Sequence, residues 1–144
     1  MKTTNVKTFI QAINEFFSEN LSEKGFYKDM RPTLVEKKII EGWFLLRDSS
    51  FDTILETIPK LNTGYDEFVD AQKHLLWGTA LNNKSHFLEA IAHLEEAYGV
   101  IKNYEFEWMK FKVMNTLFIA FYKSAQKIIG TSVIRKQNRN GAPV

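Results

Sequence analysis

The chain has 144 residues, of which 44% are hydrophobic and 25% are charged, and its formal net charge is +2. These values are typical of one folded domain, and a charge this small gives no basis for a nucleic-acid or membrane-surface binder. Because the chain contains no cysteine, disulfides and thiolate metal sites are excluded, and we expect a cytoplasmic protein. Its first residues lack the apolar run of a signal peptide, and no stretch is apolar enough to span a bilayer, so we expect no membrane partner.

Apolar residues recur at steps of three and four along the chain, which is the period of amphipathic helices and predicts an all-α fold of about six helices. The first helix is predicted over roughly residues 5–21 and ends before Gly25. A second helix begins where Thr33 and Glu36 have capping-box spacing, unless Pro32 occupies its first turn instead.

The third helix is expected to be short and imperfect. Ser50 is available as its N-cap, and Pro59 removes a backbone donor near its end. Residues 62–64, Asn-Thr-Gly, are a stop signal, and a fourth helix is predicted to start near Tyr65 or Asp66.

The clearest unit is a helical hairpin over residues 71–104, whose two helices are joined at residues 82–85. Gly78, Ala90 and Ala97 lie at spacings of twelve and seven, and small side chains let two helices approach closely. Ser85 is predicted to be the N-cap of the fifth helix.

This hairpin resembles one tetratricopeptide repeat, a family in which a Gly lies midway along the first helix and Ala residues follow at these spacings. Leu94 takes the place of the large apolar residue between the two Ala, and Trp108 falls where a following repeat would carry its early Trp. His74 and Lys102 depart from the family pattern, and a degenerate copy without the small residues lies thirty-six residues earlier. The resemblance implies stacked antiparallel helical hairpins with a concave surface for an extended peptide or a partner helix.

Carried onto the matched hairpin, the resemblance implies a neutral, amide-rich groove. Amide side chains can hydrogen-bond both the carbonyl and the amide groups of an extended backbone, although the same residues could also form an ordinary solvated helix face. The predicted partner-binding residues are Gln72, Leu75, Thr79, Asn82 and Asn83.

Apolar residues cover most of the circumference of the sixth helix, predicted from about Glu105 to Ile129. Such a helix is buried on more than one side, either inside one chain, where the first, fourth and fifth helices cover it, or against a second chain. A homodimer would let one patch cover itself across a two-fold axis. The candidate dimer surface comprises Trp108, Phe111, Phe118, Phe121 and Tyr122. A single helical domain is predicted over residues 1–130, with a flexible C-terminal tail over residues 131–144.

The sequence carries no nucleophile elbow, phosphate-binding glycine loop or dinucleotide fingerprint, so we predict no catalytic residues and no cofactor. The best chemical cluster is His86, Glu89 and His93, which share one side of a helix. A metal site needs a third ligand held in geometry, and His74 belongs to the preceding helix, so we expect no metal.

These features favour a small protein- or peptide-binding regulatory module and disfavour an enzyme. No helix presents the exposed Arg, Lys, Asn and Gln residues of a recognition helix, so we expect no nucleic-acid partner. Two alternatives stay open at this point, an all-helical ligand-binding or enzymatic protein with an aromatic-lined pocket, and an oligomeric scaffold.

Overall fold

A computed structural model describes residues 8–19, 25, 27 and 30–139, and for residues 131–139 it gives the course of the helix alone. This part of the chain is all-α and contains no β-strand, which confirms the predicted fold class. The six α-helices found there are α1 (Phe9–Glu19), α2 (Leu34–Arg47), α3 (Phe51–Thr57), α4 (Glu67–Asn83), α5 (Phe87–Ile101) and α6 (Glu107–Arg139).

Local hydrogen bonds fix the starts of α2 and α4 where the sequence predicts them. The Glu36 carboxylate accepts from the Thr33 amide at 2.8 Å and the Thr33 hydroxyl accepts from the Glu36 amide at 3.2 Å, which completes a capping box. At α4, the Asp66 carboxylate accepts from the amides of Phe68 and Val69. Each helix therefore begins with two of its free amide groups hydrogen-bonded by a side chain.

The third helix is short, as predicted. It ends at Thr57, and the chain continues as a 3-10 helix over Ile58–Lys60, because Pro59 has no N–H to donate. Gly64 then adopts a φ of 64°, and its amide donates to the Asn62 side chain at 3.0 Å. This turn leads directly to the N-cap of α4.

The prediction that Ser85 caps α5 is wrong. Ser85 has a φ of 66°, and the His86 amide donates to the Leu81 carbonyl at 2.9 Å. This is the bond of a Schellman motif, in which the residue after the helix end adopts the left-handed conformation. The same geometry ends α2, where Ser49 has a φ of 61°. Ser85 therefore closes α4 instead of opening α5.

Two other boundaries differ from the prediction. The structure gives α1 from Phe9 to Glu19, and residues 1–7 and 20–24 lie outside the described residues. The last helix continues to Arg139, so the predicted tail is helical as far as that residue. Gly130 does not stop the helix, because one glycine in a helix costs only about 1 kcal/mol. The flexibility of residues 131–144 stays a prediction, and residues 140–144 lie outside the described part.

The small residues of the hairpin let α4 and α5 approach closely, as the sequence predicts. Ala90, Leu94 and Ala97 are fully buried. A methyl group added at Gly78 would lie 2.7 Å from Leu94 Cγ and 3.0 Å from the Ala90 carbonyl oxygen. No larger residue at position 78 fits unless the two helices move apart.

Helix α1 contributes both aliphatic and aromatic side chains, and its Ala12 and Ile13 are fully buried. The Phe9 ring meets the Phe68 ring of α4 edge-on, with 5.9 Å between their centroids. Phe16 and Phe17 pack against Trp43 of α2, the Phe17 ring at 4.9 Å. The rings of α1 thus contact both α2 and α4.

We predict that Gly78→Ala lowers the free energy of unfolding by roughly 1–3 kcal/mol, because the added methyl overpacks the hairpin. The matched control is Gly99→Ala in α5, where an added methyl meets nothing within 4 Å. That change should stabilise the protein by up to about 1 kcal/mol, since Ala is the better helix former. Urea unfolding of both variants measures the difference, and shifts of the same sign would contradict the close approach at Gly78.

Candidate functional site

Eight of the eleven large hydrophobic side chains that are exposed in the described structure lie along α6. All five residues of the predicted dimer surface are exposed, with relative accessibilities from 48% at Phe121 to 70% at Phe118. Met114, Ile128 and Ile129 are also exposed, and so is Ala125. The α6 apolar face is defined here as Trp108, Phe111, Met114, Phe118, Phe121, Tyr122, Ala125, Ile128 and Ile129.

The opposite side of α6 is anchored in the core. Met109, Val113 and Ala120 are fully buried, and Thr116 and Ser124 continue the same stripe at helical spacing. This stripe packs chiefly against α5, with smaller contacts to α1 and α4. The alternative in which α1, α4 and α5 cover the rest of α6 inside one chain does not hold, because all three contact the helix and its aromatic residues stay exposed.

The amount of apolar surface on this face is unusual for a single chain. Large aromatic side chains offer roughly 150–250 Å² each, so its eight large residues expose on the order of 900 Å² at their accessibilities. The largest apolar patch of a typical monomer is about 300–600 Å². The α6 apolar face therefore exceeds what a monomer ordinarily leaves in water.

The predicted groove residues do not form an open surface. Gln72, Leu75, Thr79 and Asn82 are buried, and of the five only Asn83 is exposed. The expectation of a solvent-facing groove is wrong for these four residues, because they lie on sides of α4 that are buried. α2, α3, the 3-10 helix, α5 and α6 all contact this helix. Thr79 and Asn83 instead hydrogen-bond carbonyl groups of α4 itself.

Gln72 has a structural role at the junction of three helices. Its carbonyl Oε1 accepts from the Trp43 indole N–H of α2 at 3.0 Å, and its Nε2 donates to Met109 Sδ of α6 at 3.3 Å. All three side chains are fully buried. This contact places the buried side of α6 against α4 at Met109.

The histidines group differently from the predicted cluster. His86 is exposed at the start of α5, whereas His93 meets His74 of α4 with 2.9 Å between their Nδ1 atoms. The His93 ring also stacks on Trp77 with a centroid separation of 3.8 Å. The Asp70 carboxylate lies 3.5 Å from His74 Nε2. The His74–His93 pair was missed because helical spacing relates residues within one helix and says nothing about pairs across two helices.

The surroundings of His93 disfavour its protonated form. A hydrogen bond between the two Nδ1 atoms requires one to donate and the other to accept. Burial is the main cause that lowers the pKa of His93, and the charges of His74 and Lys73 act in the same direction, while Glu89 and Glu96 oppose them. Within the described residues, no group of three or more His, Cys, Asp or Glu could hold a metal ion.

Comparison with known proteins adds no relative: no family model, curated protein or solved structure matches the chain. The resemblance of residues 71–104 to a tetratricopeptide repeat therefore stays a prediction based on the small-residue spacing. In the part of the chain that the structure describes, no helix is both long and apolar enough to cross a membrane.

We predict that the fold becomes less stable on acidification because of His93. Its pKa in the folded protein lies below the ordinary 6.5, so the unfolded chain binds the proton more readily. The contribution of neutral His93 to the free energy of unfolding is thus complete above about pH 6.5. It is lost as the pH falls through the folded-state pKa.

Urea unfolding measured between about pH 5 and pH 7.5 tests this effect. His93→Gln should reduce the pH dependence of the unfolding midpoint, whereas His86→Gln, at an exposed position of the same helix, should leave it unchanged. An equal slope in the wild type and the His93 variant would contradict the assignment.

Proposed function

We propose that this chain is a small protein-interaction module and that the α6 apolar face is its contact surface. The observation that carries the proposal is the continuous row of large apolar side chains left exposed on a helix whose other side is anchored in the core. Trp, Tyr, Phe and Met are the residues enriched at the centres of protein interfaces. Burying them against a partner removes them from water, which is the main driving force of association.

The composition of the face supports recognition of another protein surface. Between Phe111 and Ile128 its members are all apolar, and Asn115 is the uncharged polar residue at its edge. Lys112 and Lys123 lie outside it around the helix axis. An apolar centre bordered by polar residues is the usual anatomy of a protein interface.

The way α6 is held also favours binding. The helix is fixed by Met109, Val113 and Ala120 in the core, so its outer side chains are presented on a rigid element. A preorganised helix loses little conformational entropy when a partner docks. Helix-on-helix packing is the recognition mode that suits such a surface.

The amide-rich peptide groove implied by the sequence does not enter this proposal, because four of its five residues are buried. We also propose that the module regulates the protein that binds to this surface.

Photocross-linking in living cells tests the proposed surface. One variant carries p-benzoylphenylalanine in place of Phe118, and the control carries it in place of Glu96, which is exposed on α5. We expect protein adducts at position 118, none at position 96, and loss of the adducts when Phe121→Asp is added. Equal adduct formation at positions 118 and 96 would overturn the proposal.

A further inference from the structure

We infer that the α6 apolar face binds the same face of a second copy of this chain, with the two α6 helices antiparallel across a two-fold axis. This inference rests on the proposed function and names its partner. The spacing of the exposed residues, their symmetry, the exposed area, the projection of the helix and the charges at its C-terminal end support it.

The centre of the face has the spacing of a coiled-coil seam. Its members lie alternately three and four residues apart, and a seam with an average period of 3.5 residues stays in contact with a second helix. All of them are exposed. They are Phe111, Met114, Phe118, Phe121, Ala125 and Ile128.

The steps between these residues are the same in both directions along the helix. When the order of the residues is reversed about the point between Phe118 and Phe121, each member coincides with another member, as an antiparallel two-fold pairing requires. Phe118 of one copy then lies level with Phe121 of the other, and Met114 lies level with Ala125. A long side chain thus meets a short one beside the central aromatic pairs, which allows close interdigitation.

The exposed area of the α6 apolar face is large enough for a dimer interface. An exposed apolar area on the order of 900 Å² per chain is close to the ~800 Å² that each partner contributes to a standard interface. Ser124 is the last buried residue of α6 among the described side chains, and residues 125–130 are all exposed. The helix therefore projects past its own core, where a second copy can lie along it.

The distribution of charge favours the antiparallel orientation. The last turns of α6 contain three basic residues, Arg135, Lys136 and Arg139. An antiparallel pair keeps these two basic ends apart, whereas a parallel pair brings them together. In the antiparallel pair, the positive end of each helix dipole also lies beside the negative end of the other.

Cysteine cross-linking of the full chain tests both the partner and the orientation. Because the natural sequence has no cysteine, each introduced thiol is unique. We expect an equilibrated mixture of Met114→Cys and Ala125→Cys to form disulfide-linked dimers on mild oxidation. Each variant alone should not, because identical positions are then offset by eleven residues, or roughly 16 Å of helix, far beyond the ~7 Å limit between Cα atoms.

The controls separate the outcomes. Glu96→Cys, on the exposed side of α5, measures random collision, and circular dichroism checks that each variant keeps its helices. Cross-linking of Met114→Cys with itself would overturn the antiparallel pairing. If neither the mixture of Met114→Cys and Ala125→Cys nor either variant alone cross-links above the Glu96→Cys background, self-association through this face is overturned. The proposed function then still stands if the photoadduct at position 118 contains a different protein, and falls if there is no adduct.

Discussion

The arrangement of the described helices depends on α4, most of whose residues are buried. This helix contacts α2, α3, the 3-10 helix, α5 and α6. On the α5 side, Gly78 lets Leu94 and the Ala90 backbone come close enough to exclude any larger residue. On the α2 and α6 sides, the buried amide of Gln72 satisfies the Trp43 indole and contacts Met109. An unsatisfied buried polar group costs about 1–3 kcal/mol, so this junction also specifies the packing.

The burial of one side of α6 determines what its other side can do. Since Met109, Val113 and Ala120 hold one side of α6 in the core, the aromatic residues on the other side point to solvent. Burying even half of that surface from two copies, at ~25 cal/mol per Å², offers on the order of 20 kcal/mol before other costs. Lost translational and rotational freedom on association costs an estimated ~4–15 kcal/mol. Association is therefore energetically reasonable for this face.

Sequence patterns predict the elements well where the cause is local. The capping box of Thr33 and Glu36 and the proline at position 59 act within one turn, so the start of α2 and the end of α3 are predictable. The apolar circumference of α6 likewise indicates a helix with more than one contact surface, and the five residues proposed for a second chain are all exposed.

Sequence patterns do not predict features that depend on neighbouring elements of the fold. Periodicity gives the angular position of Gln72 and Asn82 on α4 but not the number of helices around them, so a buried face was predicted to be a groove. The contact between His74 and His93 depends on how α4 and α5 are placed side by side. Ser85 was assigned by residue preference, whereas the turn that follows α4 decides its conformation.

Sedimentation velocity of the purified chain, from low to high micromolar concentration, tests the central claim that the α6 apolar face binds itself. We predict a concentration-dependent species of twice the 16.8 kDa chain mass. Phe118→Asp, a change at an exposed position, should sediment as a monomer and keep its helical circular dichroism. A single 16.8 kDa species of the wild-type chain over the whole range would contradict the claim.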